Sequence, residues 1–177
     1  MKTETRSLIL KIVLYQVAFL LLHFAYDWMP NAITRFFSGI NESVFQHMKI
    51  GFYSYLVVAL IEFLIMRKSI EKKGSFWVFR GFTASLIPFF LLFFYFIGPL
   101  IFVQFETDLG EIIFANIGVL CSSLSAISVE RQLEKAPPSK VFSVITLTLV
   151  VLWIAQFTVF TNRLPWTDVF GIPPGWE

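Results

Sequence analysis

Leu8-Ile9-Leu10-Lys11-Ile12-Val13-Leu14-Tyr15-Gln16-Val17-Ala18-Phe19-Leu20-Leu21-Leu22-His23-Phe24-Ala25-Tyr26-Asp27-Trp28 decides the fold class. As a helix rising ~1.5 Å per residue, this run is long enough to cross a hydrocarbon core of ~30 Å. A secretory leader would be shorter and would end at small residues before a cleavage site. This run instead ends in His23-Phe24-Ala25-Tyr26-Asp27-Trp28 and is stopped by Pro30. It reads as a first transmembrane helix.

Working outward, four more apolar runs follow. The second helix opens at Asn41 or Ser43, either of which can cap free backbone N–H groups, and has its apolar part at Ile50–Met66. The third spans about 81–103, with kinks expected near Pro88 and Pro99. The fourth spans about 109–129 and carries Gly118, Ser122, Ser123, Ser125 and Ala126, small residues that let helices approach closely. The fifth spans about 141–160, and the Pro-, Gly- and Trp-containing tail holds no further span. Composition agrees. Of 177 residues 56% are hydrophobic and 15% charged, with 22 Phe and a mean hydropathy of +0.73, where soluble domains carry roughly 25% charged residues. The chain reads as all-α: one integral membrane bundle of about five transmembrane helices over residues 1–177. Cys121, the one cysteine, permits no intrachain disulfide or thiolate cluster and reads as a packing residue.

Charge sets an orientation. With the N-terminus inside, eleven of the fourteen basic residues fall on the inner side, in the N-terminal segment and in loops 67–80 and 130–140; only Arg35, Lys49 and Arg163 fall outside. This positive-inside bias predicts N-terminus in and C-terminus out, and a multi-pass protein of the bacterial cytoplasmic (inner) membrane. Trp28, Trp166 and Trp176 at the outer face and Trp77 at the inner face fit an aromatic belt. Glu62 reads as a paired or interfacial charge beside the basic loop. Topology accounts for the basic residues, so no nucleic-acid partner is expected. The expected partners are the lipid bilayer and a homo-oligomer or larger membrane complex.

The outward residues include His23, Asp27, the stretch Asn41-Glu42-Ser43-Val44-Phe45-Gln46-His47-Met48-Lys49, and an acidic rim of Glu106, Asp108, Glu111 and Asp168. Polar groups at the mouth of a membrane helix cost free energy unless they are paired or functional. Capping uses one or two such residues; this stretch has six. Helical spacing puts Gln16, His23 and Asp27 on one face, Glu42, Gln46, Lys49 and Tyr53 on another, and Ser43 with His47 on a third. The bland alternative makes Asn41 a cap, sets Glu42 on the helix dipole and lets Lys49 snorkel outward; it leaves His47 unexplained. His23 lies five residues before Trp28 and His47 six after Asn41, so both sit roughly 8–9 Å inside their helix ends. Asn116 and Gln156 fall near the same depth. The expectation is a pocket floored by His23, His47, Asn116 and Gln156, with interhelical hydrogen bonding as the alternative for the two amides. His23, Asp27, Glu42 and His47 are the residue types that hold zinc or a similar divalent metal, the candidate cofactor.

Two resemblances attach to these residues. The H-x-x-x-D of His23 and Asp27 resembles membrane hydrolases of the ceramidase and progestin-receptor-like superfamily, which use further histidines on seven spans; this chain has two histidines. A closer one covers most of the chain. Asn41-Glu42-Ser43-Val44-Phe45-Gln46-His47, with the earlier segment His23–Trp28, Phe36-Phe37, and the later Phe157-Thr158 and Leu164-Pro165-Trp166-Thr167-Asp168, resembles an uncharacterised family of small bacterial multi-pass membrane proteins, a domain of unknown function. Phe45-Gln46 stands where that family has Trp-Glu. The resemblance implies an outward-facing site and supplies no activity.

The chain carries no nucleophile elbow, P-loop or dinucleotide fingerprint. Three functions stay open: an outward polar pocket that binds or helps transport a small solute or cation; a metal-dependent hydrolase at the outer leaflet; and a structural membrane subunit.

Overall fold

A computed structural model describes residues 2–101, 107–163 and 170–172. Among them are six helices and no strand: α1 (Lys2–Trp28), α2 (Ala32–Phe37), α3 (Val44–Met66), α4 (Lys73–Ile101), α5 (Asp108–Leu133) and α6 (Lys140–Asn162). All but the six-residue α2 are long and apolar enough to cross a membrane. The fold is therefore the expected all-α bundle with five candidate spans, compatible with a multi-pass membrane protein.

Local chemistry sets the helix starts. Asn31 and Thr34 form a reciprocal capping box that opens α2. Ser43, extended at φ −69° and ψ 150°, caps α3 by accepting the Gln46 N–H. Thr107 and Ser139 cap α5 and α6 in the same way through Gly110 and Phe142.

In the bundle, α4 packs against α3, α5 and α6, while α1 lies against α3 and α5. More than half of the apolar window of α3 is buried (56%), against 17% for α1 and 22% for α6. At Gly51 a Cβ would lie 2.6 Å from Leu91 Cδ1 and 3.0 Å from Ile87 Cγ2, so the missing side chain permits the close approach of α3 to α4. The outer faces stay apolar, with Leu10, Val17, Leu64, Phe93, Ile117 and Leu147 all exposed. So much exposed hydrocarbon suits a lipid solvent rather than water.

Two boundaries in the segments read as charged loops differ from the sequence expectation. α4 begins at Lys73 instead of about Gly81, and α5 continues to Leu133 instead of about Val129. The segments assigned to charged loops are helical because their charges pair with one another inside the bundle. Arg80 is buried (4% exposed). Its Nε and Nη2 donate to the two Glu62 carboxylate oxygens at 2.9 and 2.8 Å, and its Nη1 reaches Glu134 at 2.5 Å and Glu130 at 3.0 Å. Lys11 bridges Glu62 at 2.9 Å and Glu130 at 2.7 Å. Tyr55 donates its hydroxyl to Glu130. Four helices, α1, α3, α4 and α5, meet in this cluster, at the end where α1 starts and α3 stops. The expectation of a paired Glu62 corresponds to these contacts. Burying such charges is tolerable only because each has several hydrogen-bonded partners.

Pro88 lies inside α4 and gives no N–H to the Ala84 carbonyl. Next to it, the Ser85 carbonyl accepts the Trp153 indole N–H at 3.1 Å, which ties α6 to α4 at the proline turn. α4 continues through Pro88 and Pro99 to Ile101.

Removing one partner from the ion cluster strands buried charges, so Arg80→Leu should lower unfolding free energy by about 3–5 kcal/mol. Thermal unfolding in detergent checks this, with Lys135→Ala, at an exposed position, expected to leave the midpoint near wild type.

Candidate metal centre

At the opposite end of the bundle α1 stops and α3 begins. The connection between them, with α2 inside it, returns the chain antiparallel within a few turns, and α1 packs on α3. His23 sits on the last turns of α1 and His47 on the first turn of α3. Their Nε2 atoms are 3.2 Å apart. Glu42 Oε2 lies 3.3 Å from His23 Nε2 and 3.5 Å from His47 Nε2.

Glu42 arrives there for a local reason. Helical spacing would align it with Gln46 and Lys49, but α3 starts only at Val44 and Ser43 is extended. The Asn41 side-chain oxygen accepts the Ser43 N–H at 3.1 Å, folding the chain tightly around Glu42. The carboxylate is thereby freed from the helical register and turns to the two histidines.

His47 is oriented from behind. Its Nδ1 donates to the Ser43 carbonyl at 2.9 Å, which leaves the Nε2 lone pair facing His23 and Glu42. The ring of Phe19 lies beneath both histidines, with centroids 6.4 Å from His47 and 6.3 Å from His23. Phe24 packs edge-on against His23 at 4.8 Å. The triad thus rests on an apolar floor. His23 Nδ1 is buried without a protein hydrogen-bond partner.

Three acceptor atoms therefore converge, with at most one imidazole proton to share while both rings are neutral. A cation among them would satisfy all three at once. The hydrogen bond to His23 and the nearby imidazoles hold the Glu42 carboxyl below the usual carboxylate range, against a partial burial that works the other way.

The other sequence candidates fall elsewhere. Asp27, expected as a fourth ligand, is exposed and outside the convergent set of His23, Glu42 and His47. It stands one turn beyond His23, past the level at which α3 begins. Asn41 acts on Ser43 rather than on the histidines. Asn116 and Gln156, expected at the pocket floor, both lie on exposed faces of the bundle. The Asn116 amide donates back to the Ile112 carbonyl of its own helix at 2.8 Å. Depth along a helix was shared with the histidines, but rotation about its axis was not. Glu106 and Asp168 of the proposed rim, and the 164–168 part of the family likeness, lie outside the described residues.

Sequence reasoning placed Lys49 on a polar face with Glu42, Gln46 and Tyr53, with outward snorkelling as the bland alternative; its side chain is fully buried and bonded to Arg35 of α2 and Thr161 of α6. Compared with protein-family profiles, with curated proteins and with solved structures, the chain shows no match.

Because Glu42 titrates below its ordinary value when folded, what it contributes to stability is present above the ordinary carboxylate range and is lost as pH falls through the depressed value. Metal-free protein should lose thermal stability on that acid limb, and Glu42→Gln should flatten it. Melting curves over an acid pH series check this; identical limbs in the two proteins would count against the contact.

Proposed function

We propose that His23, Glu42 and His47 bind a divalent cation of the zinc class at the mouth of a multi-pass membrane bundle. The observation that carries this reading is the triangle of ligand atoms, with sides of 3.2, 3.3 and 3.5 Å. Zinc with nitrogen and oxygen ligands at ~2.0–2.1 Å in a tetrahedron has ligand–ligand edges of about 3.3–3.4 Å. The three atoms match one face of that tetrahedron. Two imidazoles and a carboxylate are a common set for a metal that keeps its fourth position open. The Ser43 carbonyl behind His47 supplies the second-shell contact that such histidines use.

This is the cation-binding form of the pocket reading. The open position also supports a second one: a bound metal could activate water there, as in a hydrolase at the membrane surface. The basic asymmetry supports placing the site on the outer side of the bacterial cytoplasmic membrane, with the N-terminus inside and the C-terminus outside, since eleven of the fourteen basic residues belong to the other end.

Purified protein in detergent, stripped with chelator and titrated with zinc, should take up one ion per chain and melt at a higher temperature. Stabilisation should reach about 2.7 kcal/mol at a hundredfold excess over Kd. His23→Ala and His47→Ala should weaken uptake by roughly 100-fold or more, beyond the 10–100-fold typical of a lost second-shell partner. Asn116→Ala and Gln156→Ala should bind as wild type. A stripped protein that takes up no zinc would overturn the proposal.

A further inference from the structure

A second polar centre lies at the same end of the bundle, between α2, α3 and α6, and the metal proposal does not use it. Its focus is Lys49. The side chain is fully buried. Its ammonium donates to the Arg35 carbonyl at 3.0 Å and to the Thr161 hydroxyl at 3.1 Å. Both are neutral acceptors. No carboxylate among the described residues pairs with Lys49 or with the exposed Arg35 guanidinium. A buried ammonium without a counter-charge is costly, and the third ammonium N–H is unused.

Beside it is a cavity of about 170 Å³ whose lining includes Arg35, Phe36, Phe157, Thr158, Thr161 and Asn162. One water needs only about 10–15 Å³, so the space admits a larger group. Thr161 connects the two features. Its oxygen accepts from Lys49, so its own O–H is left to donate elsewhere, and the residue lines the cavity. Arg35, which also lines the cavity, offers a planar fork of donors suited to a phosphate.

The polar face of α3 continues past Lys49. One turn deeper, Tyr53 packs against Phe36 and Phe37 of α2 and Phe157 of α6, and its hydroxyl is buried without a protein partner. Gln46 shares the face by spacing, and neither end of its buried amide has a partner. The apolar walls Phe36 and Phe157 suit carbon attached to an anionic head. Around this cavity, α2 exposes Ile33 and Phe37, as an interfacial helix does.

We infer that the cavity between α2 and α6 binds a phosphate group, gripped by Arg35 and by Thr161 with Lys49 behind it. The phosphate belongs either to a phospholipid headgroup or to a free phosphate ion. This inference stands apart from the metal proposal, and its test leaves the His23–Glu42–His47 triad intact.

Melting temperatures distinguish the sources. Protein in uncharged, phosphate-free detergent is titrated with inorganic phosphate. In parallel, the same detergent-solubilised protein is titrated with a short-chain phosphatidic acid, with the matching diacylglycerol, which lacks the phosphate, as the control. A rise with inorganic phosphate identifies a free-ion site; a rise only with phosphatidic acid identifies a headgroup site. Lys49→Met risks misfolding, so Arg35→Gln and Thr161→Val are the working variants. Each should weaken the response by about tenfold in half-saturating probe, the worth of one charge-assisted hydrogen bond, while zinc uptake stays unchanged. No shift with either probe, or the same shift in both variants as in wild type, would overturn the inference.

Discussion

The ion cluster of Lys11, Glu62, Arg80, Glu130 and Glu134 is the constraint on which the rest of the bundle depends. In an apolar solvent, helices gain little from hydrophobic association with each other, because lipid tails are as apolar as leucine. Register must come from close packing and from polar contacts that work in only one alignment. Arg80 reaches α3 through both Glu62 oxygens and α5 through Glu130 and Glu134. Lys11 ties α1 to the same two helices. A shift of one turn in α1, about 5.4 Å, would break these bonds and leave buried charge unpaired.

That alignment fixes what happens at the other end. Twelve residues separate Lys11 from His23 along α1, and fifteen separate Glu62 from His47 along antiparallel α3. At ~1.5 Å per residue these rises are about 18 and 22 Å, close enough for side-chain reach to absorb the difference. Anchoring α1 and α3 at one end therefore brings the two imidazoles level at the other. Gly51, between the anchors, lets α3 lie close to α4. The triad is then completed by a residue outside any helix, because the Ser43 cap and the Asn41 turn release Glu42 from helical register.

Much of this was legible in the sequence, and the part that was not has a common cause. Hydrophobic run length gave five spans, since lipid permits little else. Rise per residue gave the shared depth of His23 and His47. Helical periodicity misplaced Glu42 because, of the two starts the sequence offers, Asn41 or Ser43, the structure uses Ser43, which leaves Glu42 outside the helix. Depth alone grouped Asn116 and Gln156 with the histidines, yet both lie on exposed faces. Arg80 and Glu130 fall in the segments read as charged loops, 67–80 and 130–140. The available signal was that Glu130 continues the small, buried face of Ser123, Ala126 and Ile127 at helical spacing.

We propose a divalent metal among His23 Nε2, His47 Nε2 and Glu42 Oε2. X-ray absorption at the zinc edge, on protein loaded with one equivalent of zinc and washed, reads that coordination directly. The expected result is nitrogen and oxygen neighbours at about 2.0–2.1 Å, with outer-shell imidazole scattering from two rings that falls to one in His47→Ala. A spectrum of zinc surrounded by water oxygens without imidazole scattering, or one unchanged in His47→Ala, would contradict it.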